Sequence, residues 1–339
     1  MKLEKARFYI PLTVCFFALL GLMYYYIFAD VSKSGTAYLY IDSDDTIDSV
    51  FVKLDEIGTS NGVTGFRTIA RHSSYPENIH TGRYAILPGE GALKVLHHLK
   101  NGLQTPINLT IPEARTPERL AAILEHKLML DSATIFEALT NENICSQYGY
   151  DTTTVMCMLI PNTYSVYWDT SMENFLKRMQ QENKIFWNEK RLGKAKALEL
   201  TPNEVYTLAS IIDEETSNNE EKPMIAGMYL NRLKANMPLQ ADPTIKFALQ
   251  DFSIKRIYHK MLLVDSPYNT YLYEGLPPGP IKIASIAGID AVLNRIVHPY
   301  LYMCAKEDFS GTHNFAVTYQ EHLKNADKYT KALNERGIE

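Results

Sequence analysis

The spacing of apolar and polar positions changes along the chain, and each change predicts an element. Residues 8–29 carry no charge and are mostly apolar and aromatic. As a helix rising about 1.5 Å per residue this run is roughly 33 Å long, enough to cross a hydrocarbon core of about 30 Å. Residues 36–41 read as a strand. Residues 46–54 read as a helix, with Ile47, Val50, Phe51 and Leu54 at helical spacing. Residues 84–87 predict a strand closed by Pro88-Gly89, and 91–100 a helix with Leu93, Leu96 and His97 on one face. The alternation over 107–111 predicts a half-buried strand, after which helices dominate. One opens at Thr116-Pro117, one near Ser132, one covers 172–191 and one covers 224–234. Thr201-Pro202-Asn203-Glu204 and Thr318-Tyr319-Gln320-Glu321 both read as capping boxes that open helices. Between about 265 and 316 the pattern gives way to loops and short strands.

The pattern describes an α+β chain in four parts. These are a cytoplasmic tail at 1–7, a transmembrane helix at 8–29, a small α/β module at 30–105, and a larger, mainly helical domain with short strands at 106–339. Lys2, Lys5 and Arg7 precede the apolar run, and the acidic Asp42, Asp44 and Asp45 lie beyond it. That asymmetry predicts an amino end in the cytoplasm and an extracytoplasmic remainder, anchored in the cytoplasmic membrane by a single pass. A cleaved signal peptide is the competing reading. Its apolar core is about 7–15 residues, whereas this run is longer and ends in Tyr24-Tyr25-Tyr26, which suits an interfacial belt.

Charge and cysteine narrow the classes. Thirty-four basic against 39 acidic residues give a net charge of −5, so the chain lacks the basic footprint of a nucleic-acid binder. Four Cys are too few for a disulfide scaffold. In an oxidising compartment Cys145 and Cys157 could bridge, or both could be free buried thiols. No Cys/His spacing suggests a metal.

Candidate chemistry lies at the end of the helix that Thr201 opens. Val205, Leu208, Ala209 and Ile212 repeat at helical spacing and define a core stripe. Of the acids Asp213, Glu214 and Glu215, Glu215 alone continues that stripe. A carboxyl held against apolar neighbours has its charged form disfavoured, which suits a general acid near neutral pH. If the helix ends before Glu215, all three acids face water instead. Further on, Leu239 to Thr244, Ser266 to Tyr271 and Gly275 to Pro280 combine amides, hydroxyls, aromatics and rigid Pro/Gly turns. Such stretches suit a sugar polymer, since rings stack on aromatics while amides meet hydroxyls; solvent-facing turns look similar.

Taken together, Leu208-Ala209-Ser210-Ile211-Ile212-Asp213-Glu214-Glu215-Thr216, Tyr229-Leu230-Asn231-Arg232-Leu233, Met237 to Thr244, Ser266 to Tyr271 and Gly275 to Pro280 resemble the MltG (YceG-like) family of membrane-anchored endolytic murein transglycosylases. The likeness extends to Pro161-Asn162-Thr163-Tyr164, where Asn162 replaces the family's Asp, and to His313-Asn314-Phe315. The small module resembles the family's LysM-like module more loosely, through Gly82-Arg83-Tyr84 and Asn101-Gly102.

The resemblance implies cleavage of peptidoglycan glycan strands between N-acetylmuramic acid and N-acetylglucosamine, with no metal or organic cofactor. Glu215 falls on the family's catalytic position, acting as acid and then as base to leave 1,6-anhydro ends. Asn231, Gln240, Asp242, Thr244, Tyr268, Asn269, Thr270 and Tyr271 are the expected groove, with Tyr164 and His313 beside it. Anchoring implies nascent strands as substrate and proximity to wall-synthesis machinery. Two other readings stay open: a lysozyme-type hydrolase in which Asp242 activates water, and a wall-binding scaffold without catalysis.

Overall fold

The computed structural model describes the backbone of residues 2–336 and the side chains from Pro11 to Arg336. The side chains of the 1–7 tail, with Lys2, Lys5 and Arg7, and residues 337–339 lie outside the described residues. The chain divides into two compact units.

The first unit runs through Leu109 and takes in Lys127–Met129 and Tyr164–Thr170. It opens with α1 (Lys2–Phe28), whose segment Pro11–Phe28 is long and apolar enough to cross a membrane. β1 (Ala37–Ile41) and β2 (Gly82–Ile86) pair antiparallel, with Leu39 opposite Tyr84. Between them lie α2 (Ile47–Ile57) and α3 (Ser60–Arg71), and α4 (Ala92–Lys100) follows. Leu39, Ile41, Val50, Phe51, Leu54, Phe66, Tyr75, Tyr84 and Leu99 fill one core. A Cβ on Gly65 of α3 would collide with the Tyr26 carbonyl oxygen, so the absence of a side chain there lets the last turn of α1 pack directly on α3. Asn61 Nδ2 donates to Tyr25 Oη at 2.9 Å across the same contact. The segment Tyr164–Thr170 returns to this unit, where Asp169 accepts from Thr81 Oγ1 at 2.7 Å and Gln104 Nε2 at 2.8 Å.

Three expectations change here. The strand set at 84–87 begins two residues earlier, at Gly82. In α4 the buried positions are Ala92, Val95, Leu96 and Leu99, while Leu93 is exposed, so the core face is rotated from the one expected. Helix α3 was not anticipated, because its glycines and polar residues mask the apolar spacing of Val63, Phe66 and Ala70.

β3 (Ile107–Thr110) pairs with β4 (Thr163–Val166) in a second two-stranded sheet. The second unit is helical: α5 (Pro117–Glu125), α6 (Ser132–Thr140), α7 (Glu142–Gln147), α8 (Met172–Phe186), α9 (Glu189–Ala197), α10 (Pro202–Glu215), α11 (Lys222–Lys234), α12 (Asp242–Ala248) and α13 (Ile286–Leu293). The hairpin β5 (Tyr302–Ala305) and β6 (His313–Ala316) then leads into α14 (Tyr319–Glu335). The helix expected over 172–191 is two helices. Asn188 caps α9 by accepting from Arg191 N, so the chain turns at Trp187. Cys145 and Cys157 are both buried free thiols, each pushed up in pKa by burial.

Helix α10 runs through the core of this unit. Thr201 Oγ1 accepts from Glu204 N at 3.2 Å, and Glu204 Oε2 accepts from Thr201 N at 2.7 Å, which fixes its start. Val205 to Ile212 are buried without a break. The helix is thus enclosed on all sides, in place of the single apolar stripe expected. Ser210 tolerates this because its Oγ donates to Thr207 O and accepts from Ile281 N, and the Thr207 side chain hydrogen-bonds Cys157. The helix ends at Glu215, with Thr216 in extended backbone as its cap.

Candidate active site

The three acids at the end of α10 have different surroundings. Asp213 is enclosed, and its carboxylate accepts from Lys222 Nζ at 2.7 Å, Ser285 N at 2.6 Å and Ser285 Oγ at 2.8 Å. That ties α10 to α11 and to the start of α13, where Ser285 is the cap. Glu214 pairs with Arg115 at 2.8 Å and Lys282 at 3.4 Å. Among the described residues Glu215 has no ion-pair partner within 4 Å and no backbone donor; Tyr229 Oη of α11 donates to its Oε1 at 2.8 Å.

Glu215 is half-buried, with its carboxyl enclosed and one side open to a cavity of about 520 Å³. Burial raises its pKa to about 7 from 4.5. The Tyr229 hydroxyl and the Lys246 ammonium hold it down, and the Asp242 and Glu214 charges push it up. As the last residue of α10 it also meets the negative end of the helix dipole, which acts in the same upward direction. Tyr229 is pushed well above its ordinary pKa by burial and by Glu215, so it stays a donor.

The opposite wall is built by α12 and the loop before it. Tyr271 Oη donates to Asp242 Oδ1 at 2.5 Å. Both line the cavity, as does Gln240, which is held in left-handed backbone at φ 51°. Its N–H donates to Thr270 O at 2.9 Å, and its Oε1 accepts from Arg232 at 3.3 Å. The third wall is the β5–β6 hairpin with the first turn of α14. His313 lines the cavity from there, its backbone N–H and Nδ1 against the buried Glu221 at 2.7 and 3.0 Å.

Of the residues singled out from the sequence, Glu215, Gln240, Asp242, Tyr271 and His313 therefore meet at one cavity. The others do not line it. Asn231 donates both amide hydrogens to backbone, at 2.6 Å to His298 O and 3.0 Å to Tyr300 O, so it holds the approach to the hairpin. Asn269 is fully buried and donates to Leu262 O and Val264 O. Thr244 and Thr270 are buried against each other at 2.8 Å, and Thr270 Oγ1 accepts from Ala241 N. These three fix the loop that presents Asp242 and Tyr271. Tyr268 packs against Phe247 with ring centroids 4.6 Å apart and the rings tilted by 48°. Tyr164 is buried in β4, in the first unit. Tyr229 and Arg232 were missed, because an aromatic and an arginine one helical turn apart read as packing and solvent face.

Comparison with known proteins decides the family. The YceG-like family matches residues 39–328. The chain belongs to the YceG-like family. Its curated relatives include the endolytic murein transglycosylase of Bacillus subtilis, 37% identical over 168 residues that make up 50% of this chain and 46% of the relative. The protein of the same name from Streptococcus pneumoniae is 26% identical over 320 residues, 82% of this chain and 57% of the relative. This YceG-like chain spans about half the length of the curated relatives it matches. The crystal structure of a yceG-like protein from Listeria monocytogenes aligns with a TM-score of 0.57 at 26% identity, covering 86% of this chain and 98% of that one.

Proposed function

We propose that this chain is an endolytic murein transglycosylase that cuts the glycan strands of peptidoglycan without water, with Glu215 as the single proton carrier. The observation that carries the reading is an enclosed carboxyl with pKa about 7 on the wall of an open cavity, hydrogen-bonded by one hydroxyl and, among the described residues, by no cation. Such a group is substantially protonated near neutral pH and can also release its proton there.

The residues divide the work as follows. Protonated Glu215 gives its proton to the glycosidic oxygen, and the bond to the anomeric carbon breaks. Positive charge develops at that carbon, facing the Asp242 wall. Glu215, now ionised, accepts the proton of the sugar's own 6-hydroxyl as that oxygen closes on the anomeric carbon. Glu215 is left protonated as at the start, and the product carries a 1,6-anhydro end. Tyr229 donates to Oε1, which leaves Oε2 as the oxygen that carries the moving proton.

The names of the Bacillus and Streptococcus relatives support the reaction class. The apolar segment Pro11–Phe28 supports a single-pass anchor. With it we place the amino end in the cytoplasm, the cavity outside, nascent strands as substrate and wall-synthesis machinery as neighbour. The 30–105 module is read as LysM-like, and 106–339 as the catalytic domain.

Hydrolysis is the second reading, because Asp242 lines the same cavity and a second carboxylate could activate water. Its Oδ1 is engaged by Tyr271 at 2.5 Å, which favours a fixed charge over a base. Mass spectrometry of muropeptides released from purified glycan strands separates the two. Anhydro ends from the wild type, lost in Glu215→Gln, are the expected result; reducing ends support hydrolysis. Equal release by the two proteins contradicts a role for Glu215.

A further inference from the structure

Beyond the carboxylates, the hairpin and α14 give the same cavity a wall with its own chemistry. Tyr302 of β5 and Tyr319 and His322 of α14 bring three flat side chains together. Ring centroids are 5.5 Å apart for Tyr302–His322 at an interplanar angle of 27°, 6.0 Å for Tyr319–His322 at 31° and 5.8 Å for Tyr302–Tyr319 at 53°, so the His322 and Tyr319 rings form an inclined shelf beside Tyr302. All three line the cavity that Glu215 lines.

We propose that this shelf is a second sugar subsite, on which a neutral N-acetylhexosamine ring of the same glycan strand lies flat. The inference rests on the reading of the chain as a glycan-cleaving enzyme and adds where a further ring of the substrate sits.

Three observations carry it. First, the outer edge of the shelf is open where core packing would bury it: Tyr319 retains 58% of its surface, while Tyr302 and His322 are half-buried. An aromatic face offers the C–H face of a pyranose an apolar surface, while the sugar's hydroxyls and acetamide point to the polar rim.

Second, His322 is not placed by hydrogen bonds. His298 meets Met224 O and Tyr300 N, and His313 meets Glu221, whereas the buried Nδ1 of His322 has no hydrogen-bond partner among the described residues. Its ring is held by stacking, at the cost of an unmet polar atom. Burial and the nearby Arg232 charge lower its pKa, so the ring presents a neutral surface.

Third, the shelf is braced to the carboxylate end. Arg232 is buried, with its guanidinium 5.4 Å from the Tyr302 ring centroid. Its donors go to Leu301 O at 2.7 Å, Leu239 O at 2.7 Å and Pro238 O at 3.1 Å. One guanidinium thus fixes both the residue before Tyr302 and the approach to Gln240. It lies one turn along α11 from Tyr229, which holds Glu215. Nε and Nη1 of Arg232 are spent on carbonyl oxygens, and the carboxyls of Glu215 and Asp242 line the same cavity, which favours a neutral sugar over an anionic stem peptide as the occupant.

The test uses the full chain in detergent, in a Glu215→Gln background, and titrates the N-acetylglucosamine tetramer, a probe without peptide, by calorimetry. Tyr319→Ala and His322→Ala are each expected to weaken Kd roughly tenfold, and Tyr319→Phe to restore it, because the ring face rather than the hydroxyl is used. With Glu215 present, Tyr319→Ala is expected to raise KM while the pH midpoint of kcat stays in place. A tetramer that does not bind the Glu215→Gln parent, a Kd unchanged in both alanine variants, or no rescue by Phe overturns the subsite. An unchanged Kd with weaker binding of a muropeptide transfers the shelf to the stem peptide, which also overturns it. Failure of the enzymatic reading is separate, since it shows as no anhydro-ended product from the wild type.

Discussion

Asp213 and Glu215 stand two residues apart at the end of one helix, both with enclosed carboxyls, and their surroundings prepare them for opposite tasks. Asp213 is met by an ammonium, a backbone N–H and a hydroxyl. Glu215 is met by one hydroxyl. A buried acid with full compensation is a fixed joint, here between α10, α11 and the start of α13. A buried acid left short of donors holds its proton until the pH approaches 7. The comparison teaches that burial alone does not mark a proton carrier; the count and charge of donors around each oxygen does.

The strongest way to break the comparison is to exchange the two acids for their amides. Glu215→Gln is expected to lower glycan cleavage by about 100- to 10,000-fold, the range of a lost general acid, with the fold kept; anhydro-ended products measured by mass spectrometry read it. Asp213→Asn is expected to retain measurable turnover but to lower stability. Removing one partner of the buried pair leaves the Lys222 ammonium uncompensated, and Lys222→Ala leaves the carboxylate in the same position. Each is expected to cost about 3–5 kcal/mol, measured by denaturant unfolding. An Asp213→Asn variant as stable as the wild type would remove the structural half of the contrast.

Next in size is the pH dependence. The folded chain holds the Glu215 proton up to about 7, while the unfolded chain releases it near 4.5. The stabilising contribution is therefore complete below about 4.5 and is lost as pH rises to about 7, roughly 3 kcal/mol in all. Unfolding free energy compared across pH 4 to 8 should show this decline in the wild type and not in Glu215→Gln. If Glu215 is the proton carrier proposed above, kcat/KM is expected to fall as pH rises through about 7, because the acid form is lost by ionisation. The smallest effect is that of Tyr229→Phe. Its hydroxyl holds the Glu215 pKa down, so its loss should move that limb upward, by less than about one pH unit.

Much of this arrangement was legible in the sequence, and the reasons are local. The capping boxes at Thr201 and Thr318 set the starts of α10 and α14, because side-chain to backbone pairing is complete within four residues. Counting from that start puts Glu215 on the apolar stripe, but whether the helix reached it stayed open in the sequence; the structure ends α10 at Glu215. The cavity did not follow. Tyr229 meets Glu215 only because α11 packs beside α10, and a tyrosine inside a helix carries no sign of its partner. Asn231 looked free for a ligand, yet its amide is taken by carbonyls of residues 298 and 300, a contact set by how the chain returns. The hairpin wall was the least legible part. β5 and β6 are four residues each and half-buried along nearly their whole length, so no alternation betrays them. Helix α3 hid for a different reason, since glycines that allow α1 to approach also weaken the helical pattern.

The most direct test of the central claim is the titration of the Glu215 carboxyl itself. Carbon-detected NMR of full-length protein labelled at glutamate carboxyls, with the resonance assigned by its loss in Glu215→Gln, follows that single group across pH 4 to 9. The account predicts a midpoint of about 7, and a midpoint near the 4.5 of a free glutamate would contradict it.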